Sequence, residues 1–188
     1  MQEKKNISPQ IQISYVIGVI FGKNVKLKSN TMKSIHQSLQ NKPINLEVRP
    51  PKTKKEWNDY YYLRWKVLRS NFSDNIDSAK DEIEDESFHI IGINTNLKIL
   101  GVGRIHELDK ETSQIRYMAV EQESRSNNIG TLILKSLISH AIEKKNKQII
   151  LQARENAINF YLKNGFKLKQ KTHILFGEVQ HYLMKITL

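Results

Sequence analysis

A single change of hydrophobic period, near residue 129, limits the folds open to this chain more than any other feature. Before it, apolar residues come in short alternating or β-branched runs. After it, Ile129, Ile133, Leu134, Leu137, Ile138, Ala141 and Ile142 recur at a 3.6-residue spacing, which predicts a helix with one apolar face. Residues 148–153 are a nearly continuous apolar run, as a strand buried on both faces requires. Strand, helix, strand in this order predicts a βαβ crossover and a parallel strand pair. Upstream, residues 46–49 alternate and stop at Pro50-Pro51. Trp57, Tyr61, Trp65 and Leu68 mark an amphipathic helix. The acid-rich run 81–86 reads as the surroundings of a short helix. Residues 88–93, 97–107 and 114–120 are predicted strands of an antiparallel meander, with turns at 94–96 and 108–112. Residues 156–163 form a short helix closed by Asn164-Gly165, and 166–169 and 178–186 are the last two strands. The expected fold is α/β, a mixed, mostly antiparallel central sheet with helices on both faces.

The 188 residues suit one domain with an appendage. The chain has no cysteine, which excludes disulfides, Cys-ligated zinc, iron–sulfur clusters and a thiol nucleophile. No His spacing suggests a metal site. The net charge of +11 favours an anionic partner, but it is unevenly spread. Residues 1–55 carry eleven Lys/Arg and two acids, and the rest carry nineteen and seventeen. The basic excess therefore belongs to a segment, 1–44, set apart from a nearly neutral domain, 45–188. Within that segment, Lys4 and Lys5 precede an apolar stretch at 11–21. It lacks a small-residue cleavage site and is shorter than the roughly 20 residues a membrane span needs. Ile11, Ile13, Tyr15 and Ile17 alternate as a strand would, and Met32 is a candidate alternative start. The expectation is a peripheral, poorly ordered extension on a cytoplasmic protein, without a membrane partner. The lysine clusters at 52–55 and 144–147 read as solvated faces. No aromatic interleaving supports nucleic-acid stacking.

The loop from Glu121 to Thr131 lies between a predicted strand and a predicted helix start. Unpaired N–H groups at a helix start carry partial positive charge. Gly and Asn permit the left-handed backbone that turns successive N–H groups into an anion nest. Arg125 adds a full charge. The loop thus suits a phosphate or pyrophosphate. The same letters also suit an ordinary strand-to-helix loop with a solvated arginine.

Arg125-Ser126-Asn127-Asn128-Ile129-Gly130 resembles the phosphate loop of the GNAT superfamily of acetyl-CoA-dependent N-acetyltransferases, with Asn128 in place of the first family glycine. Residues 156–166, Asn-Ala-Ile-Asn-Phe-Tyr-Leu-Lys-Asn-Gly-Phe, resemble the family's second signature. Residues 115–120 are similar to its fourth strand, and the resemblance spans about 46–188. It implies the acyl-CoA N-acyltransferase fold and acetyl-CoA as acyl donor. It also implies an amine acceptor on a small molecule or protein, and the homodimers that members often form. By motif, Arg125, Ser126, Asn127, Asn128, Ile129, Gly130 and Thr131 would grip the pyrophosphate. The backbone of Met118, Ala119 and Val120 would pair with the pantetheine arm, and Asn156 would reach it from the next helix. Tyr161 would face the sulfur and give or share a proton with the leaving thiolate.

The general base is the open point. Some family members use a strand-four glutamate, and the matching Gln114 cannot act as a base. Candidates are Glu107, His106, and above all Glu178 and His181 on the late strand, with a water relay as an alternative. Arg104 and Arg116 could favour an acceptor bearing a carboxylate or phosphate. Two rival functions fit the same letters. One is a catalytically weak GNAT domain that senses acyl-CoA. The other is a module that binds nucleic acid or an anionic surface through residues 1–44.

Overall fold

A computed structural model describes residues 46–188. The expectations for 1–44, including the basic extension, the apolar stretch and Met32, lie outside the described residues, as does the proposed boundary.

The first helix begins where the sequence supplies a full set of start signals. Thr53 accepts from the backbone N–H of Glu56 at 3.2 Å, and Glu56 reaches back to the Thr53 N–H at 3.4 Å. Such a capping box contributes about 1 kcal/mol. Arg49 adds a two-pronged grip on Glu56 at 2.7 and 2.9 Å, and its guanidinium is the largest reason that carboxyl is held at about 2.

The elements are β1 (Leu46–Arg49), α1 (Lys54–Leu68), β2 (Phe88–Asn94), β3 (Ile99–Glu107), β4 (Thr112–Val120), α2 (Ile129–Glu143), β5 (Gln148–Arg154), α3 (Ile158–Lys163), β6 (Lys167–Leu175) and β7 (Val179–Thr187). They build one seven-stranded sheet in the order β1-β2-β3-β4-β5-β7-β6. Only β4 and β5 run parallel; every other pair is antiparallel. This is the expected mixed sheet with a βαβ crossover.

Helices cover both faces. Ile129, Ile133, Leu134, Leu137 and Ala141 of α2 pack with Ile115, Ile149, Leu151 and Met184. On the other face Tyr60 and Leu63 of α1 pack with Ile91, Val102 and Ala119. Helix α2 lies so close to β3 that a Cβ on Gly101 would stand 2.7 Å from the Ile133 side chain. No helix among the described residues is long and apolar enough to cross a membrane.

Three local expectations are corrected and a fourth is extended. Ile142 is exposed, because the buried stripe of α2 runs through Ala141. The buried face of α1 is Tyr60, Leu63 and Arg64, with Trp57 and Tyr61 half-buried beside it and no full burial of Trp65 or Leu68. The last two strands are nine residues long each, so β6 is far longer than 166–169. A 3-10 turn at Ile76–Ala79 precedes the acid-rich run, whose Asp81 and Glu84 serve as partners for buried arginines.

Candidate active site

Strands β4 and β5 pair only from Thr112↔Gln148 to Ile115↔Leu151. Each then runs on without the other, β4 to Val120 and β5 to Arg154. The far edge of β5 stays on β7 as far as Arg154↔His181, and the far edge of β4 stays on β3 through Val120↔Gly101. The sheet therefore opens between them. The β5-facing backbone groups of residues 116–120, which include Met118, Ala119 and Val120, have no strand partner there among the described residues. Backbone N–H and C=O groups need partners when covered. An extended ligand with amide groups could take the missing strand's place.

A bulge lies in β4 beside the opening. Arg104 pairs with Arg116 and Val102 with Ala119, so β4 carries one residue more than β3 across this interval. The bulge falls at Tyr117, whose φ is +53°. A left-handed backbone at a bulky residue costs on the order of 1–3 kcal/mol, and a bulge re-aims side chains. The Tyr117 ring consequently meets the Arg64 guanidinium at 3.9 Å, with Arg104 at 5.0 Å and Arg116 at 5.1 Å.

At the end of β4 the chain makes a 3-10 turn, Gln122–Asn127, and enters α2 through Asn128. Asn128 has φ 58° and ψ 9°, and its side chain caps nothing. It occupies the left-handed conformation that glycine would otherwise supply. The first-turn N–H groups of Ile129, Gly130 and Thr131 are left without a side-chain cap, at the positive end of a 15-residue helix. Ile129 is buried in the core and anchors this turn. A Cβ on Gly130 would meet the Phe160 ring at 3.3 Å. Arg125, Asn127 and Asn128 are exposed. These residues fit an anionic group: the first-turn N–H groups are uncapped, and Arg125 is exposed beside them.

The α1 face of the opening is a network of buried charges that the sequence does not reveal. Arg64 donates to both oxygens of Glu84 at 2.8 Å and also to the Ala79 carbonyl. Arg104 donates to both oxygens of Asp81 at 2.7 Å and to Glu84 at 2.5 Å. Arg116 shares Asp81 at 2.9 Å. Arg64 and Arg104 are fully buried. Arg104 is therefore already matched, and it is not available to an acceptor as the sequence suggests. Burial pushes the Glu84 carboxyl up, but its bonds to Arg64 and the nearby Arg104 charge outweigh that and hold it below the ordinary value. His89 donates from Nε2 to the Glu84 carbonyl at 2.8 Å, which leaves Nδ1 to accept from Tyr60 at 3.0 Å.

The three residues expected to be catalytic are not drawn together equally. Tyr161 is buried in α3, edge-on to Phe160 and Phe166, and burial raises its phenol well above the ordinary value. His181 is buried opposite Arg154. Its Nδ1 donates to the Val179 carbonyl at 2.9 Å, which assigns the proton to Nδ1 and leaves the Nε2 lone pair open among the described residues. Burial, then His173, Arg154 and Arg69, lower its pKa, with the Val179 bond opposing, so the ring is neutral at pH 7. Glu178 is an exposed residue of the β6–β7 turn. Asn156 is exposed in a 3-10 turn, Glu155–Ala157, at the end of β5. His106 is buried on β3 with Nδ1 unpartnered, Glu107 is exposed, and Gln114 is half-buried. Among the described residues no three His, Asp or Glu side chains form a group that could hold a metal.

Known proteins share this fold. The structure superposes on a GNAT family acetyltransferase from Staphylococcus aureus Mu50 with a TM-score of 0.63 at 18% identity, covering 76% of this chain and 98% of that one. An acetyltransferase from Elizabethkingia anophelis, solved with acetyl-CoA bound, gives 0.61 at 18% identity, over 77% and 99%. An aminoglycoside 6'-N-acetyltransferase complexed with coenzyme A gives 0.65 at 13% identity, over 75% and 96%. At these identities the likeness is one of fold. The uncharacterized N-acetyltransferase YjcF of Bacillus subtilis (strain 168) is 27% identical over 133 residues, which are 71% of this chain and 94% of that one. The sequence profile described as "Acetyltransferase (GNAT) domain" matches residues 52–188, and this span holds α1, the bulged β4, the Asn128 turn and the β4–β5 opening. By that match the chain belongs to the GNAT family of acetyltransferases.

Proposed function

We propose that this protein transfers an acetyl group from acetyl-CoA to an amine, directly and without a covalent enzyme intermediate. The observation that carries the reading is the parting of β4 and β5 beside an uncapped α2 start. One end of the opening offers amides for a pyrophosphate. The middle offers a strand edge for an amide-containing arm. Two solved relatives hold coenzyme A or acetyl-CoA in their structures.

In this reading the α2 turn from Arg125 to Thr131 binds the pyrophosphate, and residues 118–120 align the pantetheine arm. Asn156 reaches the same arm from the end of β5. A backbone N–H of β4 stabilises the oxyanion that forms when the amine attacks the thioester. His181 takes the amine proton on Nε2, because it is neutral and its lone pair is open. Glu178, exposed in the turn, is the poorer base of the two. Tyr161 acts as a hydrogen-bond donor to the leaving sulfur. Full proton transfer is disfavoured: a phenol near 10 is already weaker than a thiol near 8.5 in model compounds, a gap of about 2 kcal/mol, and burial widens it.

The test is calorimetric titration of acetyl-CoA into the wild type and Arg125→Glu, with thiol release followed across an amine panel. Tight binding that the charge reversal weakens, together with thiol release, supports the reading. No binding overturns it. Binding without release across the panel supports an acyl-CoA sensor instead.

A further inference from the structure

The α1 side of the opening holds more positive charge than its carboxylates balance. Asp81 and Glu84 are matched by Arg64, Arg104 and Arg116. Two further arginines stand beside that network. Arg69 caps the C-terminus of α1, and Arg154 ends β5. Nη2 of Arg154 donates to the Leu68 carbonyl at 2.6 Å, and Nη1 of Arg69 donates to the same oxygen at 3.2 Å. Two guanidiniums thus converge on one neutral acceptor, Arg69 Nε donates to a second, the Ser78 carbonyl, at 3.4 Å, and neither arginine has a carboxylate partner among the described residues.

The magnitudes do not cancel. The C-terminal end of a helix presents about half a negative charge. Two arginines present two positive charges, since arginine stays protonated in proteins. Burial lowers both below their ordinary values, and the Arg69 charge lowers Arg154 further. Half-buried like charges held together without a counter-ion are costly unless an anion joins them.

Aromatic rings stand beside the pair. The Arg69 guanidinium lies 5.2 Å from the Phe176 ring and 5.6 Å from the Tyr117 ring. Phe176 stacks on Phe72 at 4.4 Å. His181 is the register neighbour of Arg154. Aromatic rings, two guanidiniums and a neutral imidazole therefore lie together at the ends of α1 and β5, on the α1 face of the opening.

We propose that the amine acceptor carries a carboxylate or phosphate group, which Arg69 and Arg154 bind at the α1 face of the β4–β5 opening. That the ligand is the acceptor rests on the acetyl-transfer reading; the anion site does not. A guanidinium pair accepts either anion in paired, charge-assisted hydrogen bonds. Polycationic amines meet repulsion from the same groups.

Binding is measured by calorimetry on matched probes: L-alanine against L-alaninamide for the carboxylate, and O-phosphoethanolamine against ethanolamine for the phosphate. Spermidine is the polycation. The anionic member of at least one pair is expected to bind tenfold or more tightly than its neutral partner, and which pair responds names the anion. Arg154→Gln and Arg69→Gln are each expected to remove most of that preference without a change in acetyl-CoA affinity. Melting curves check that the variants fold, and Arg154→Lys, which keeps the charge but loses the fork, is expected to keep part of the preference. Equal binding of both members in both pairs, tighter binding of spermidine, or a preference that survives both Gln variants overturns the proposal. Thiol release is read on the same samples. A charge preference without thiol release supports the anion site and counts against the transferase reading. Release with neutral amines alone does the reverse.

Discussion

The two sides of the β4–β5 opening place their polar groups by opposite means. The side that leads into α2 uses backbone: contiguous residues, an Asn in the left-handed region and uncapped N–H groups. The side under α1 uses side chains: Arg64, Arg69, Asp81, Glu84, Arg104, Arg116 and Arg154, gathered from α1, the connection to β2, and three strands. Backbone donors stay in place when most side chains change. A side-chain network fails when one member is lost, because each burial depends on its partner. The first side can therefore serve one ligand across many sequences, while the second can be particular to this chain.

That contrast can be broken most severely at Glu84. Glu84→Gln leaves Arg64 and Arg104 as under-compensated buried cations, and a loss of about 3–5 kcal/mol is expected in urea or thermal unfolding. A loss under 1 kcal/mol would show that the network is loosely held.

Catalysis gives the next largest effect. His181→Gln is expected to lower kcat by on the order of 10²–10⁴, the usual contribution of a positioned base. The wild-type rate should fall on the acid side of the ordinary imidazole value near 6.5, because the ring must be neutral and its pKa is lowered. That limb should vanish in the variant. An unchanged pH profile would assign the proton elsewhere.

Acid separates the two sides directly. Asp81 and Glu84 are both held below the ordinary carboxylate value; burial pushes each up, and their arginine partners more than reverse it. The stability they contribute is fully present above the unfolded-state value near 4 and is lost as pH falls through the lower folded values. A melting series from pH 6 down to 3 should drop steeply in the wild type and less steeply in Glu84→Gln. Equal slopes would locate the acid-sensitive groups outside this network.

The backbone side sharpens the comparison at Asn128. Asn128→Val forces a β-branched residue to φ 58° and is expected to cost about 1–2 kcal/mol and to weaken acetyl-CoA binding. Asn128→Gly should be near neutral in both. The smallest effect is expected at exposed Arg125: Arg125→Gln should leave the melting temperature unchanged and weaken acetyl-CoA by only a few-fold.

The same contrast explains what could be read in the sequence. The α2 turn was legible because its chemistry lies in consecutive residues whose types announce a left-handed turn and a helix start. The meander and the crossover were legible because hydrophobic period follows burial. The arginine network was not. Asp81 and Glu84 find their partners twenty or more residues away, so locally they look like solvent-facing acids around a turn. Arg64 sits within an aromatic stretch, and no periodicity distinguishes a buried arginine from a surface one. Strand β6 was read short because Lys167, Lys169 and Lys171 are exposed on an edge that pairs only with β7, where no core demands an apolar face. Tyr117 offered no signal, since nothing in a tyrosine suggests a left-handed backbone.

The extra residue in β4 also has a meaning in terms of phase. Ile115, Met118 and Val120 pack on the α2 side, and Ala119 packs on the α1 side. Tyr117 turns toward Arg64 on the α1 side as well, next to Arg116. The strand thus delivers two successive residues to one face, which an uninterrupted strand cannot do. Remove that one position and the remaining letters alternate correctly from end to end. The hydrophobic pattern therefore does not call for the bulge, which lies beside the opening. One deleted codon would remove the left-handed Tyr117, whose ring meets the arginines, and would keep the hydrophobic pattern that folds the chain.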